Sequence, residues 1–288
     1  MKKKIKAFIK KMGFYRIRNN AIFTLNRNYK IYQSLKKKYK SLLANEYSYT
    51  KEAYSKKVWF CWLQGLDNAP DLVKSCYDYI NKNLNDYEII VITESNFRQY
   101  TDIPDYIVEK WKSKIITNTH FSDILRVELL AKNGGIWIDS TVLCTSKLPN
   151  YLNESDFFVF SAEYRNDESS LLSSWFILSN KNHPIILQTR DLLHDYWKKN
   201  NKLVHYFLFH MFMSMAIEKY SNLMKNVPFV SNINPHVLQF KYLFDKYDLR
   251  VSQFIKDTCF VHKLSYKFEK ELTEIEGTNY KAILERKF

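Results

Sequence analysis

Glycine and proline are scarce in this 288-residue chain, with five and six copies. That leaves little room for flexible linkers or low-complexity segments, and no internal repeat is visible. The four cysteines, Cys61, Cys76, Cys144 and Cys259, lack CxxC spacing. This excludes a zinc site or a disulfide frame and reads as the reduced thiols of a cytosolic protein. Long apolar runs are missing too. Residues 203–220, with HYFLFHMFMSMAI at their heart, form the most apolar helical stretch, and it carries His205 and His210, read as structural histidines. The run is too short and interrupted to cross a bilayer, which takes about 20 apolar residues. Lysines break the apolar pattern near the start, so a secretory signal is excluded as well.

What is present is aromatic and basic. At 46% hydrophobic and 16% aromatic residues, a chain of this length can bury one sizeable core. The formal charge of +14 is unevenly spread. Residues 1–57 hold 17 Lys or Arg against Glu46 and Glu52, a net of +15, and the remaining 27 basic and 28 acidic residues nearly cancel. Ile5, Phe8, Ile9, Met12 and Tyr15 recur near helical spacing among Lys2, Lys3, Lys4, Lys6, Lys10 and Lys11. That pattern suits a helix lying in an anionic lipid surface, where each basic residue contributes roughly 1 kcal/mol. Residues 1–56 are therefore read as a basic amphipathic helical extension, separable from the body at residues 57–288. It would seat the protein peripherally on the inner face of the plasma membrane, on the cytoplasmic side. A solvated tail or a helix packed on the body is the plainer alternative. The charge alone admits nucleic-acid binding, but the tail holds no recognised motif, and no nucleic acid is expected.

The informative stretch is residues 121–141, FSDILRVELLAKNGGIWIDST. Ser122 can cap a helix, along which Ile124, Leu125, Val127, Leu129 and Leu130 form a broad apolar face. Asn133-Gly134-Gly135 supplies a left-handed stop. Ile136-Trp137-Ile138 reads as a short strand that delivers Asp139 to its carboxyl end, where ligands sit in open α/β sheets. Asp123 and Arg126, three apart, share a helix face that can approach Asp139. Two carboxylates and a guanidinium would then converge at a strand end; a surface ion pair is the bland alternative.

Around this stretch the chain alternates. Residues 58–63 form a nearly continuous apolar strand, 70–84 a helix and 87–92 a second strand: a βαβ unit with a parallel, right-handed crossover. Residues 94–100 and 104–114 read as short helices. Strands are expected at 156–162 and 174–178, and helices at 183–197 and 203–220. Residues 269–288 read as a charged helix or frayed end. The fold class is α/β.

SDILRxxLLxxxGGIWxDxT closely resembles the signature of the capsular polysaccharide synthesis glycosyltransferases, relatives of glycosyltransferase family 32 with the GT-A fold. The likeness runs from about Val58 to Lys267. It includes a WxQG turn (Trp62, Gln64, Gly65) and an HKLxxK element (His262 to Lys267). The resemblance implies a GT-A-like, Rossmann-type mixed sheet flanked by helices. It also implies transfer of a hexose-type sugar, with retention of configuration, from a nucleotide diphosphate sugar, expected to be a UDP-sugar. The acceptor would be a growing, lipid-linked capsular or surface polysaccharide. Asp139 matches the first acid of the DXD motif that holds Mn²⁺ or Mg²⁺, and Thr141 stands where the second would be.

By the same likeness Asp123 and Arg126 would hold donor-sugar hydroxyls, and Trp62, Gln64 and Gly65 would border the nucleotide. His262 would join the metal, with Lys263 and Lys267 as point charges on phosphate. For Trp62 a core position, and for His262 to Lys267 a basic surface turn, are the plainer readings. Glu163, at the exit of the FFVF strand, is the candidate acceptor-side carboxylate. A glycoside hydrolase also needs paired carboxylates and is the competing enzyme class.

Overall fold

The computed structural model describes the backbone of residues 17–51, 55–162, 169–170 and 172–288, with side chains from Arg27 onward. The amphipathic pattern at residues 5–15 lies outside the described residues.

Apolar runs lay down the main sheet. β1 (Lys57–Cys61), β2 (Glu88–Ile92) and β3 (Gly135–Ile138) are followed by β4 (Val142–Cys144), β5 (Phe157–Ser161), β6 (Leu172–Ser179) and β7 (Val261–Lys263). Five of them form a sheet in the order β2-β1-β3-β6-β5, while β4 and β7 pair separately. β1 and β2 run parallel across the helix Asp71–Asn83, the expected βαβ unit, and β3 is parallel to β1. β6 is antiparallel to both β3 and β5. The result is the mixed sheet flanked by helices that the sequence led us to expect.

Successive side chains on a strand point to opposite faces, and each face here is apolar. Trp59, Trp137, Val159 and Ile177 pack under the helices Asn118–Asn133, Pro184–Lys199 and Leu208–Lys219. Phe60, Ile136, Ile138, Phe158 and Phe176 pack on the other side with Val73 and Ile80. Each such buried side chain contributes roughly 1.5–3 kcal/mol. β3 can approach β1 this closely only because residue 135 is glycine. Its φ is 98°, and a Cβ would lie 2.4 Å from the Lys57 carbonyl oxygen. Trp59 Nε1 donates to the Gly134 carbonyl at 2.8 Å and pins the turn that precedes the strand.

Three expectations are corrected, and the choice between a helix and a frayed end for residues 269–288 falls to helix, at Lys270–Thr273 and Asn279–Leu284. The central helix starts at Asn118, not Ser122, because the Thr117 side chain caps it by accepting from the His120 N–H. Nothing interrupts the helix before Ser122, whose hydroxyl donates instead to the Thr119 carbonyl at 2.7 Å. The apolar helix expected at 203–220 begins only at Leu208, and His205 lies in the turn before it. The C-terminal segment is not frayed: Tyr280, Ala282, Ile283 and Phe288 are buried against Leu72, Cys76 and Tyr79, and Tyr79 donates to the Phe288 carbonyl at 3.0 Å. Finally, the second half of the basic extension is core. The helix Ile17–Lys38 buries Tyr32 and Leu35, and Tyr39 follows it in, its ring 5.2 Å from that of Phe212. Tyr32 also donates to Glu218 at 2.7 Å. A truncation that preserves the fold must therefore stop short of Tyr32.

Three histidines make the core acid-sensitive. His183 stacks on Phe157 at 5.0 Å, and burial pushes it down to about 4, against a weaker upward pull from Asp156. His262 is fully enclosed, and burial pushes it down to about 3 despite a backbone hydrogen bond at Cys259 that acts the other way. Burial also pushes His210 down to about 4, and all three are neutral when folded but bind a proton near pH 6.5 when unfolded. Protons thus favour the unfolded chain: the stability is complete above about pH 6.5 and is lost as pH falls toward 4. Urea unfolding followed from pH 7.5 to 4.5 should show a loss on the order of 2–3 kcal/mol per histidine. His183→Gln should remove roughly a third of that slope, and an unchanged slope would show that His183 does not carry it.

Candidate active site

The helix Asn118–Asn133 and strand β3 converge through the Gly134-Gly135 turn, and their polar residues meet where β3 ends. Arg126 is 3% exposed and Asp123 9%, so this is a buried ion pair and not a surface one. Arg126 Nη1 donates to Asp123 Oδ1 at 2.6 Å, and Nη2 donates to Asp139 Oδ1 at 3.0 Å. The guanidinium carbon sits 4.9 Å from the ring centroids of both Trp137 and Phe209, a placement that suits its weak hydration. His120 Nδ1 is 3.3 Å from the second Asp123 oxygen.

Asp139 is held from several directions. Its backbone N–H donates to the Trp175 carbonyl at 2.8 Å, and Trp137 Nε1 donates to Oδ1 at 2.8 Å. Oδ2 faces Lys263 Nζ at 3.5 Å, and Lys263 in turn donates to Thr141 Oγ1 at 2.5 Å. Burial pushes the Asp139 carboxyl up, but Lys263, Arg126 and the hydrogen bonds from Trp137 and Arg126 outweigh it and hold the group below the usual carboxylate range. It is a fixed anion with one oxygen turned toward a cleft.

That cleft has a volume of about 480 Å³, in the range of small-molecule sites. It opens at the carboxyl ends of β1 and β3. Trp62 and Tyr266 form an aromatic wall, their rings 5.6 Å apart at 79°, and Trp62 Nε1 is buried without a hydrogen-bond partner. Gln64, Asp139, Thr141, Lys263 and Lys267 line it with them. Gly65, at φ 83°, closes the turn below by donating its N–H to the Trp62 carbonyl at 2.9 Å.

Several expected residues stand elsewhere. Asp123 and Arg126 are not among the residues that line the cleft; Arg126 gives one N–H to each carboxylate, and its Nε is buried without a partner. In this arrangement Arg126 holds Asp139, and Asp123 pairs with Arg126. His262 does not reach the cleft either. Val142 pairs with Lys263 and Leu143 with His262, so the alternation that turns Lys263 toward Asp139 turns His262 to the opposite face. There its Nε2 meets Thr145 Oγ1 at 3.3 Å. Glu163 lies outside the described residues.

Other lining residues were not anticipated: Asn118, Thr119 and Ser122 from the first turns of the central helix, with Tyr206 and Tyr266. Tyr266 lay inside the HKLxxK element as an unassigned position. Tyr206 comes from a loop whose reach no local pattern encodes.

The residues present do not fit a divalent ion. A hard cation at a phosphate site takes one or two free carboxylates and fills the rest of its shell with substrate phosphates and waters. Among the described residues no group of three or more His, Cys, Asp or Glu converges. Among the described residues Asp139 is the one acid lining the cleft, and it is already engaged by Arg126 and Lys263.

The family profile described as "Capsular polysaccharide synthesis protein" matches residues 11–283. The chain belongs to this family. No curated protein matches it. Among solved structures, the "PaToxG Glycosyltransferase" is similar at a TM-score of 0.42 and 16% identity, over 90% of this chain and 96% of that one. The galactosyltransferase LgtC, solved "in complex with donor and acceptor sugar analogs", is similar at 0.42 and 11% identity, over 80% and 95% of the two chains.

In this capsular synthesis protein the buried arginine is the element most sensitive to change. Arg126→Met takes the shared cation from Asp123 and Asp139, leaving them only His120 and, for Asp139, Lys263 and Trp137, and urea unfolding should show a loss of about 3 kcal/mol. Arg126→Lys should recover little of it, since an ammonium lacks the fork that reaches both acids. A stability within about 1 kcal/mol of the parent for either variant would show that the pairing does not hold the site.

Proposed function

We propose that this capsular polysaccharide synthesis protein is a glycosyltransferase whose cleft binds a nucleotide diphosphate sugar. The observation that carries the reading is the meeting of one ionised acid, Asp139, with two lysines, Lys263 and Lys267, beside an aromatic wall at a strand-end cleft. A leaving diphosphate needs fixed positive charge aimed at its oxygens, and the lysines supply it. Trp62 and Tyr266 offer faces for a base or ribose, and Gln64, Asn118 and Ser122 offer hydrogen-bonding groups for hydroxyls. Asp139, with Oδ2 toward the cleft, would accept from a hydroxyl of the donor. A glycoside hydrolase would need a second carboxylate about 5–9.5 Å away, and among the described residues Asp139 is the one acid on the cleft wall.

The finer assignments extend the same reading. The donor is proposed to be a UDP-sugar carrying a hexose, transferred with retention of configuration. The acceptor is proposed to be a lipid-linked capsular or surface saccharide, met on the inner face of an anionic membrane that the basic residues before Tyr32 help engage. No helix among the described residues is long and apolar enough to cross a membrane.

A thermal-shift panel of nucleotide sugars tests the donor site. One of them at 100 times its Kd should add about 2.7 kcal/mol of stability, a rise of roughly 5–10 °C. Asp139→Asn should keep the fold but cut nucleotide release in the presence of acceptor by about 100-fold or more. If no nucleotide sugar moves the midpoint, or the Asn variant turns over normally, the proposal fails.

A further inference from the structure

The acid pair expected to share a divalent ion is replaced here by an acid, a hydroxyl and an ammonium. Lys263 Nζ stands 2.5 Å from Thr141 Oγ1 and 3.5 Å from Asp139 Oδ2, in the space between the two side chains of the DXD-like positions. We infer that Lys263 takes the place of the divalent cation, so that the protein binds and cleaves its nucleotide-sugar donor without a metal. The inference rests on the reading of the cleft as a donor site.

Three features carry it. The first is position. β4 and β7 pair with Val142 opposite Lys263, and the Leu264 N–H donates to the Thr141 carbonyl at 2.9 Å. The backbone thus sets Lys263 beside Thr141, and the hydrogen bond to Oγ1 brings its ammonium to that side chain. The second is the state of Asp139. Oδ1 accepts from Arg126 and Trp137, and Oδ2 faces Lys263. An ion approaching Oδ2 would meet the ammonium at like charge. The third is the ligand shortage: Thr141 brings no negative charge, and His262 is turned to the other face of its strand. Lys267 lines the same cleft, so the two ammoniums together carry the double charge that one divalent ion would.

The reaction balances without a metal. The bond between the anomeric carbon and the phosphate oxygen breaks, and its electron pair leaves on that oxygen, facing Lys263. The acceptor hydroxyl oxygen bonds to the anomeric carbon, and its proton leaves with the nucleoside diphosphate or to solvent. An ammonium meets the departing oxygen with charge-assisted N–H donors.

Calorimetric titration of the full chain with UDP, GDP, CDP and ADP, each in EDTA and again in MnCl2, decides the matter. The tightest diphosphate should bind in EDTA within about threefold of its affinity in Mn²⁺. Lys263→Met should weaken it in EDTA by about tenfold or more, the loss of one charge-assisted contact, with the circular dichroism spectrum unchanged. Lys263→Arg, which keeps the charge, should stay within about fivefold of the parent. Binding that appears only with Mn²⁺ would overturn the inference while leaving the donor site standing, as would unaltered binding by Lys263→Met in EDTA. If no diphosphate binds under either condition, the donor-site reading falls and takes the inference with it.

Discussion

One guanidinium sets the geometry of this cleft. Arg126 is too buried to be solvated, so it can stay charged only against partners that the fold brings to it, and it has two, Asp123 and Asp139. Removing a charge from water costs several kcal/mol, and only good geometry with further hydrogen bonds repays this. Here the fork of Arg126 reaches one acid with each terminal nitrogen, and two aromatic rings cover it. Because Trp137 and Arg126 both occupy Oδ1 of Asp139, that carboxylate is left with a single free edge. Its direction is set by the core and not by the loop it opens.

The backbone makes this convergence possible. Asp139 follows β3, and β3 lies where it does because Gly135 lets it close on β1 and because Gly134 turns the chain out of the preceding helix. The second sheet then finishes the cleft from far along the chain. β7 arrives some 120 residues after β4 and pairs with it antiparallel, which lays Lys263 beside Thr141 and brings Tyr266 across to Trp62. A site assembled from an early strand end, a central helix and a late strand depends on the fold being complete. The C-terminal segment therefore belongs to the core, with Phe288 tied to Tyr79.

Much of this was legible in the sequence wherever the signal was local. The βαβ unit followed from apolar runs of strand length and an amphipathic helix between them, and the Gly-Gly stop and the strand after it followed from conformational preference. The meeting of Asp123, Arg126 and Asp139 was legible because i,i+3 spacing and a tight turn leave few alternatives. What was not legible was direction. Whether Arg126 faces a ligand or stands behind the residue that does depends on Phe209, more than 80 positions away. His262 and Lys263 are neighbours in a basic, polar stretch, and only the pairing of β7 with β4 decides which of them faces the cleft. The hidden role of Tyr32 and Tyr39 has a similar cause. A lysine-rich helix looks solvated in sequence, and its few buried aromatics count only once Phe212 and Glu218 are placed against them.

The two cations of the site differ in how much of their charge is already neutralised. Arg126 lies between two acids, and its one unpartnered donor, Nε, is buried. Lys263 has one acid at 3.5 Å and a neutral hydroxyl at 2.5 Å. An aspartate at position 141 would put a second acid on the lysine, as Asp123 and Asp139 both lie on Arg126. Threonine accepts the hydrogen bond that holds the ammonium in place, yet adds no charge to cancel it. The exchange of acid for hydroxyl at that one position therefore does two things together: it takes away a ligand that a divalent ion would need, and it leaves a fixed positive charge at the mouth of the cleft. Asp139 keeps that ammonium from being too strongly attracted elsewhere, and a diphosphate, with more negative charge than one carboxylate, is the kind of ligand that can draw it away.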